Sequence, residues 1–312
     1  MNESFLYATH DFLKKNTAPL ERFPVIVVGK GVTPGRARRL ADDTPRSLRL
    51  LDVNPWAIQP FDEMEPWKQK WYDRRLWDPE LRLAYDDSTF GFDYIPKGKD
   101  ERAKRRCYGG KVLAPLDDPD RQDRFEYVHH AYLAIREACE VLNCHGPGFE
   151  WSPWHQWESW ITGKIGGKFQ SPTPAWKTGV FRFLKRLERK FDHAMTNVLT
   201  PSIYPGTDFD WFDHVKIEWN EHVKHDYADE TVDHAVRGPR YWALGQGKTV
   251  MLEVWDAGAA NEVLSKAEEA RQRWEKAQTI VQEIRNDGGK ILLARYPSLG
   301  NMPDHSVMPE VE

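Results

Sequence analysis

The sequence predicts an α/β fold with a mostly parallel sheet. Val25–Val28 is a continuous β-branched run, which is typical of a parallel strand buried on both faces. Apolar segments of strand length occur near both ends of the chain, and helical patterns lie between them. A chain of 312 residues can also bury a substantial core. We therefore expect one sheet, built from both ends of the chain, that carries a Trp-rich and largely helical insertion.

The first half of the chain is expected to begin with a helix. Residues 3–15 place Phe5 and Phe12 near one side of such a helix. A helix over residues 36–41 then follows the first strand, and a second strand covers residues 47–51. The elements expected next are loops and short helices over residues 59–106, a strand over 111–116, and a helix over 122–142 that ends at the breakers NCHGPG.

The second half of the chain alternates between helical and strand patterns. Residues 149–200 are expected to be mostly helical, with strands over 215–219 and 249–255. A long helix over 259–286 ends at a Gly-Gly pair, and a last strand covers 290–295. The predicted divisions are 1–120 for the first half of the sheet with a nucleotide-binding-like loop, 121–212 for the helical, Trp-rich, basic insertion, and 213–312 for the strands and long helix that complete the sheet.

The composition is typical of a soluble globular protein. Hydrophobic residues make up 40% of the chain and charged residues 29%. We expect no membrane segment, because no apolar run approaches the roughly 20 residues that span a bilayer. The amino terminus lacks the pattern of a secretory signal, so we expect a cytoplasmic protein. Three cysteines are too few for a disulfide framework, and a net charge of -4 argues against binding nucleic acid over the whole surface.

A glycine loop follows the first strand and predicts a cofactor site. Gly29, Gly31 and Gly35 allow a sharp turn and a close approach of the backbone to a ligand, and a helix begins directly afterwards. The second strand ends at Asp52, about 20 residues beyond the glycines, where an acid can accept hydrogen bonds from ribose hydroxyls. This layout is Rossmann-like and favours a nucleotide-type cofactor.

The same segment resembles the class I S-adenosylmethionine-dependent methyltransferases. VVGKGVTPGRARRLA is similar to their first motif, and LLDVNPWAI is similar to their second motif, a strand that ends in an acid. The resemblance implies that Gly29, Gly31 and Gly35 lie along S-adenosylmethionine, that Asp52 binds the ribose and that Val53 flanks the adenine. It also implies a transferase that methylates a nucleic acid or a nucleotide-bearing substrate.

Two alternatives lead to other functions. VVGKGVTPG and ILLARYPSLGN resemble the two motifs of the uracil-DNA glycosylase superfamily, which implies base removal from DNA with Ser298 at the second motif. The third hypothesis is a non-catalytic interaction or assembly protein whose Trp-rich and Pro-rich loops contact partners. In that case Gly31 and Asp52 are dispensable for function.

Basic loops and tryptophans predict a phosphate-bearing partner. Residues 97–111 are strongly basic, and GKIGGK combines two lysines with backbone N–H groups that glycine leaves accessible. Tryptophans recur at every third residue in EWSPWHQWESW, where they could stack on bases or pack in a core. The candidate substrate-binding or phosphate-binding residues are Arg105, Arg106, Trp154, Trp157, Lys164 and Lys168.

A cluster of histidines and carboxylates at residues 213–234 supplies candidates for a catalytic base. If residues 218–234 are helical, Glu218, Glu221, His222 and His225 lie within about 100° of one another around the helix. Such a face could provide a general base or bind a divalent metal ion. The alternative is an ordinary polar helix face with internal ion pairs.

Overall fold

The structure is a computed structural model of the chain, and it divides into two compact units. Unit 1 comprises residues 1–52, 141–150 and 193–312, and unit 2 comprises residues 53–140 and 151–192. The residues that the structure describes are 4–8, 10–15, 19–29, 31–53, 55, 57–58, 112–113, 122–149, 174–198, 211–219, 247–255, 263–296, 298–299 and 302–303.

Strands and helices alternate along the described part of the chain. The helices are α1 (His10–Lys15), α2 (Pro34–Asp43), α3 (Gln122–Val141), α4 (Pro174–Glu188) and α5 (Val263–Asn286). The strands are β1 (Phe5–Ala8), β2 (Val25–Val28), β3 (Leu48–Val53), β4 (Ala57–Ile58), β5 (Val112–Leu113), β6 (Gly146–Phe149), β7 (Met195–Val198), β8 (His214–Trp219), β9 (Thr249–Trp255), β10 (Ile291–Tyr296), β11 (Ser298–Leu299) and β12 (Met302–Pro303).

Eight strands of unit 1 form one sheet in the order in which they occur in the sequence. The order is β1-β2-β3-β6-β7-β8-β9-β10. The register is parallel from β1 through β3 and again from β6 through β10. The first strand, β1, also contacts the last strand, β10. The sheet therefore curves round until it is nearly barrel-shaped.

The two faces of this sheet carry different apolar residues, because side chains alternate along each strand. On the inner face, residues from six strands form one cluster: Phe5, Tyr7, Val25, Val27, Leu48, Leu50, Met195, Met251, Leu292 and Ala294. On the outer face of β8, β9 and β10, residues of intervening parity pack against α5 through Trp274, Ala277, Ile280, Val281 and Ile284. Strands β9 and β10 thus carry packed apolar residues on both sides, as is typical of parallel strands.

Local sequence explains where the helices of unit 1 begin and end. Pro34 occupies the first turn of α2, where its missing N–H removes no helical hydrogen bond. Ala37 and Leu40 form the buried side of this helix. At the end of α5, Gly288 adopts φ +80° and the Gly289 N–H donates to the Ile284 carbonyl at 2.8 Å. This left-handed turn ends the helix and leads into β10.

Unit 2 contains α3 and α4 and a short antiparallel strand pair. Ala57 and Ile58 of β4 pair with β5. The Arg186 guanidinium lies 4.2 Å from the centroid of the Tyr132 ring, and Lys190 forms an ion pair with Glu140 at 3.4 Å. These contacts join α4 and the turn after it to α3.

The α/β class and the mostly parallel sheet are confirmed, but the Rossmann-like arrangement is wrong. A Rossmann-type sheet reverses its strand order at a switch point, whereas here spatial order follows sequence order. The predicted helix over residues 3–15 is wrong in its first half, which forms β1 on the inner face. The strands β6 and β7 were also missed, because Gly146–Phe149 consists largely of Gly and Pro. The predicted divisions at residues 120 and 212 stay predictions.

Candidate functional site

A layer of polar side chains lies on the inner face of the sheet of unit 1, beside the apolar cluster. Tyr7, Asp52, Asn197 and Glu253 each follow an apolar inner residue by two positions, towards the carboxyl end of the strand. Lys216 of β8 pairs in register with Asn197 and with Met251. We call these five residues the inner cluster.

The inner cluster is almost entirely shielded from solvent. Lys216 and Glu253 have side chains that are 5% and 1% exposed, and Asp52 and Asn197 are also buried. Burying charged groups is costly unless they are paired and hydrogen-bonded. Three buried charged side chains on the inner face of one sheet are therefore unusual for a core that has only a structural role.

The charged members of the inner cluster form two linked pairs. The Lys216 Nζ donates to Glu253 Oε2 at 2.8 Å, and the Tyr7 hydroxyl donates to Asp52 Oδ2. The Lys216 Nζ also lies 5.5 Å from the centroid of the Tyr7 ring, a cation–π distance that connects the pairs. Two carboxylates from β3 and β9 are thus held through one tyrosine and one lysine.

Gly29 is required for this arrangement because it leaves space for the Tyr7 ring. A Cβ atom on Gly29 would lie 2.5 Å from Tyr7 Cε1 and 3.3 Å from the Ala8 carbonyl oxygen. The Gly29 N–H donates to that same carbonyl at 2.9 Å, which fixes the end of β2 against β1. The glycine therefore admits an aromatic side chain of the protein itself.

The predicted cofactor residues do not lie together in one place. Asp52 belongs to the inner cluster, Val53 is buried at the end of β3, and Gly31 adopts φ +81° in the loop after β2. Gly35 lies in α2 and lines a cavity of about 780 Å³ together with Lys14, Arg36 and Arg39. A cofactor role for these residues stays a prediction.

The predicted catalytic and phosphate-binding residues fall largely outside the described residues. Glu218 is an exception, because it forms part of β8, two positions beyond Lys216 and in register with Glu253. Within the described ranges, the structure contains no group of three or more side chains that could hold a metal ion. The predicted residues that lie outside them are Arg105, Arg106, Trp154, Trp157, Lys164, Lys168, Glu221, His222 and His225.

Sequence reasoning missed Tyr7, Lys216 and Glu253. The available signal was a charged residue inside an otherwise apolar strand, as in HVKIEW and TVMLEVW. Such a residue shares the inner face with buried neighbours, so it requires a partner. The strand over residues 215–219 that contains Lys216 was predicted, but no role was assigned to this lysine.

A second polar cluster joins the amino ends of β7 and β8 in unit 1. The Asp213 carboxylate lies 2.5 Å from His193 Nδ1 and 3.0 Å from His214 Nδ1, and it accepts the Ala194 N–H at 3.1 Å. Desolvation alone would raise the pKa of Asp213. The two histidines and the N–H group outweigh it and hold that pKa at about 2.

Comparisons with known proteins identify no family. No family model matches the chain, and no curated protein matches it. Among solved structures, the chain is similar to an intracellular xylanase from Thermoanaerobacterium saccharolyticum, in a complex of a mutant with xylotriose. The identity is 8%, the match covers 99% of this chain and 90% of that one, and the TM-score is 0.45. We base no assignment on this similarity.

The prediction of a Rossmann-like methyltransferase is wrong. Its motifs depended on a Rossmann-type sheet, whereas the observed sheet follows sequence order and its first and last strands are in contact. The predictions of S-adenosylmethionine as cofactor and of a nucleic-acid partner stay predictions, because no finding tests them. Among the described helices, none is long and apolar enough to cross a membrane.

Proposed function

We propose that the protein is a hydrolase of glycosidic bonds whose active site is the inner cluster. The observation that supports this function best is the pair of buried carboxylates, Asp52 and Glu253, each held by a neighbouring side chain on the inner face of the sheet. The finer fold that we infer is a closed barrel of eight parallel strands with helices outside. In such barrels, active sites lie at the carboxyl ends of the strands.

Two carboxyl groups are the chemical requirement for hydrolysing a glycosidic bond. One, in its acid form, donates a proton to the leaving oxygen as the bond from the anomeric carbon to that oxygen breaks. The other, as a carboxylate, either attacks the anomeric carbon or removes a proton from the attacking water. Water supplies the hydroxyl group that ends on the anomeric carbon, so no cofactor or oxidant is needed.

The remaining members of the inner cluster position these two groups. Lys216 holds Glu253 through a charge-assisted hydrogen bond, and the Tyr7 hydroxyl contacts Asp52. Catalytic side chains need neighbours that fix their geometry within a fraction of an ångström. Buried partners on separate strands of one sheet provide that rigidity.

The test is hydrolysis of a panel of nitrophenyl glycosides and plant and bacterial polysaccharides. Wild-type protein should release product from at least one of them. Glu253→Gln and Asp52→Asn should each lower kcat by about 10²-fold or more, since each removes one of the two carboxyl groups that the reaction requires. Glu150→Gln is tested in the same series, because Glu150 directly follows the carboxyl end of β6 in the sequence. Glu150 itself lies outside the described residues.

The matched control is Glu283→Gln, which changes an exposed carboxylate on α5 in the same way. It should leave both kcat and the melting temperature at wild-type values. Hydrolysis that persists in Glu253→Gln, with the fold intact, would contradict the proposed active site. Wild-type protein that hydrolyses none of the glycosides would contradict the proposed function.

A further inference from the structure

One histidine, His145, lies at the amino end of the junction between β3 and β6 in unit 1. The His145 N–H donates to the Arg49 carbonyl at 2.7 Å, and the Arg49 N–H donates back to His145 Nδ1 at 2.9 Å. His145 directly precedes β6, and Arg49 is the second residue of β3. One hydrogen bond at this junction therefore depends on an imidazole nitrogen that accepts the Arg49 N–H.

Arg49 itself is fixed by backbone carbonyl groups. Its Nε donates to the Asn143 carbonyl at 2.9 Å, and its Nη1 donates to the carbonyls of Thr44 and Ser47 at 2.8 and 3.2 Å. The guanidinium thus spans the loops that precede both strands. A positive charge is held permanently beside His145.

An imidazole can accept a hydrogen bond at Nδ1 only in its neutral form, because both ring nitrogens of an imidazolium carry hydrogen. We propose that the His145–Arg49 contact is an acid-sensitive switch, in which protonation of His145 breaks the bond from the Arg49 N–H and loosens the junction between β3 and β6. His145 is exposed, so its ring is in contact with solvent.

The charged groups around His145 act in the same direction. Desolvation lowers the pKa of His145, the positive charge of Arg49 lowers it further, and His193 adds a smaller effect in the same direction. Cys144, in the same loop, is a neutral thiol because burial raises its pKa to about 12. Asp213 faces His193.

The sign of the effect follows from this depressed pKa. The unfolded chain binds a proton near the ordinary pKa of 6.5, whereas the folded protein binds it at a lower pH. The contribution to stability is therefore complete above pH 6.5 and is lost as the pH falls. Between the two pKa values, opening of the junction should increase by up to about tenfold per pH unit and then level off.

Hydrogen exchange followed by mass spectrometry tests the switch on the full chain. Protection is compared at pH 7.5 and pH 5.0, after correction for the intrinsic pH dependence of exchange. Peptides that cover residues 44–53 and 141–149 should lose several-fold more protection at pH 5.0 than a peptide from β9. Equal changes in all three peptides would overturn the proposal, and this measurement needs neither a variant nor a substrate.

His145→Asn is the sharpest variant, because its amide oxygen can accept the Arg49 N–H but does not titrate in this range. It should keep wild-type protection at pH 7.5 and lose less of it at pH 5.0. His145→Ala should weaken protection of the junction at both pH values, and His193→Asn should retain the acid response. An unchanged acid response in His145→Asn would also overturn the proposal. Both outcomes are independent of glycoside hydrolysis.

Discussion

The inner cluster differs from the amino-end cluster, which consists of Asp213, His193 and His214, in how its charged side chains are stabilised. Both place charged side chains between neighbouring strands of the sheet of unit 1. In the inner cluster, the charges are buried and interact with other side chains, as in the Lys216–Glu253 pair. At the amino end, Asp213 is about one-third exposed and also accepts a backbone N–H. Their responses to mutation and to pH should therefore differ.

Burial, more than the number of contacts, determines how much stability is lost when a charged side chain loses its partner. A buried charge cannot recruit water when its partner is removed, so the full desolvation cost remains. A partly exposed carboxylate is rehydrated instead. The inner cluster should be intolerant of single substitutions, whereas the amino-end cluster should mainly set how stability depends on pH.

The largest expected effect is that of Lys216→Met. This substitution leaves the Glu253 carboxylate buried without its ammonium partner, which in comparable buried pairs costs about 3–5 kcal/mol. The free energy of unfolding from urea denaturation should fall by that amount. Lys216 lies near the middle of β8, so the loss should appear in one cooperative transition.

The double variant Lys216→Met, Glu253→Leu is the control for this effect. Replacing both members of a buried pair with apolar groups is often close to neutral, because no unpaired charge remains. The double variant should therefore recover much of the stability lost in Lys216→Met. If Lys216→Met lowers the free energy of unfolding by less than about 1 kcal/mol, the pair behaves like a solvent-exposed ion pair. The inner cluster and the amino-end cluster would then not differ in the cost of losing a partner.

The sequence predicts the strands better than it predicts their partners. The β-branched run at β2, the apolar strand β9 and the acid at Asp52 are local features, and local periodicity identifies them. Lys216 and Glu253 are separated by 37 positions, and Tyr7 and Asp52 by 45. Their proximity depends on the order of the strands in the sheet, which no local pattern specifies.

Gly29 is a second example of what a local sequence pattern cannot specify. The absence of a Cβ atom indicates that another group can approach the backbone closely. The sequence cannot say what approaches, and a cofactor was expected where the structure places the Tyr7 ring. Only the contact of β1 with β2 distinguishes these two explanations.

Gly29→Ala should be destabilising and should displace one half of the inner cluster. The added methyl group overlaps Tyr7 Cε1, and the nearby Ala8 carbonyl belongs to backbone that cannot easily move. Overpacking of this kind costs about 1–3 kcal/mol. We expect a lower free energy of unfolding in urea, together with a change in the near-ultraviolet circular dichroism of the tyrosine.

Gly35→Ala is a matched control, because a Cβ atom at Gly35 meets nothing within 4 Å. Gly35 lies in the first turn of α2, so alanine should stabilise the protein by up to about 0.5–1 kcal/mol. The two glycine variants should therefore change the free energy of unfolding with opposite signs. A stabilising Gly29→Ala would show that Tyr7 does not occupy the position described.

The smallest expected effect is that of Asp213→Asn, and it should depend on pH. The folded-state pKa of Asp213 is about 2, below the ordinary value of 3.8. The carboxylate therefore stabilises the fold above pH 3.8, and this contribution is lost as the pH falls towards 2. Because Asp213 is about one-third exposed, the variant should lose only about 1 kcal/mol at pH 7.

Melting temperatures of wild type and Asp213→Asn, measured from pH 7 down to pH 2, should converge at the acidic end. The control Asp287→Asn alters an exposed carboxylate after α5 and should follow the wild-type curve throughout. A constant difference between Asp213→Asn and wild type at every pH would mean that Asp213 acts by packing rather than by charge. The two clusters would then differ in burial but not in their response to pH, and the contrast between them would be reduced to the size of the effect.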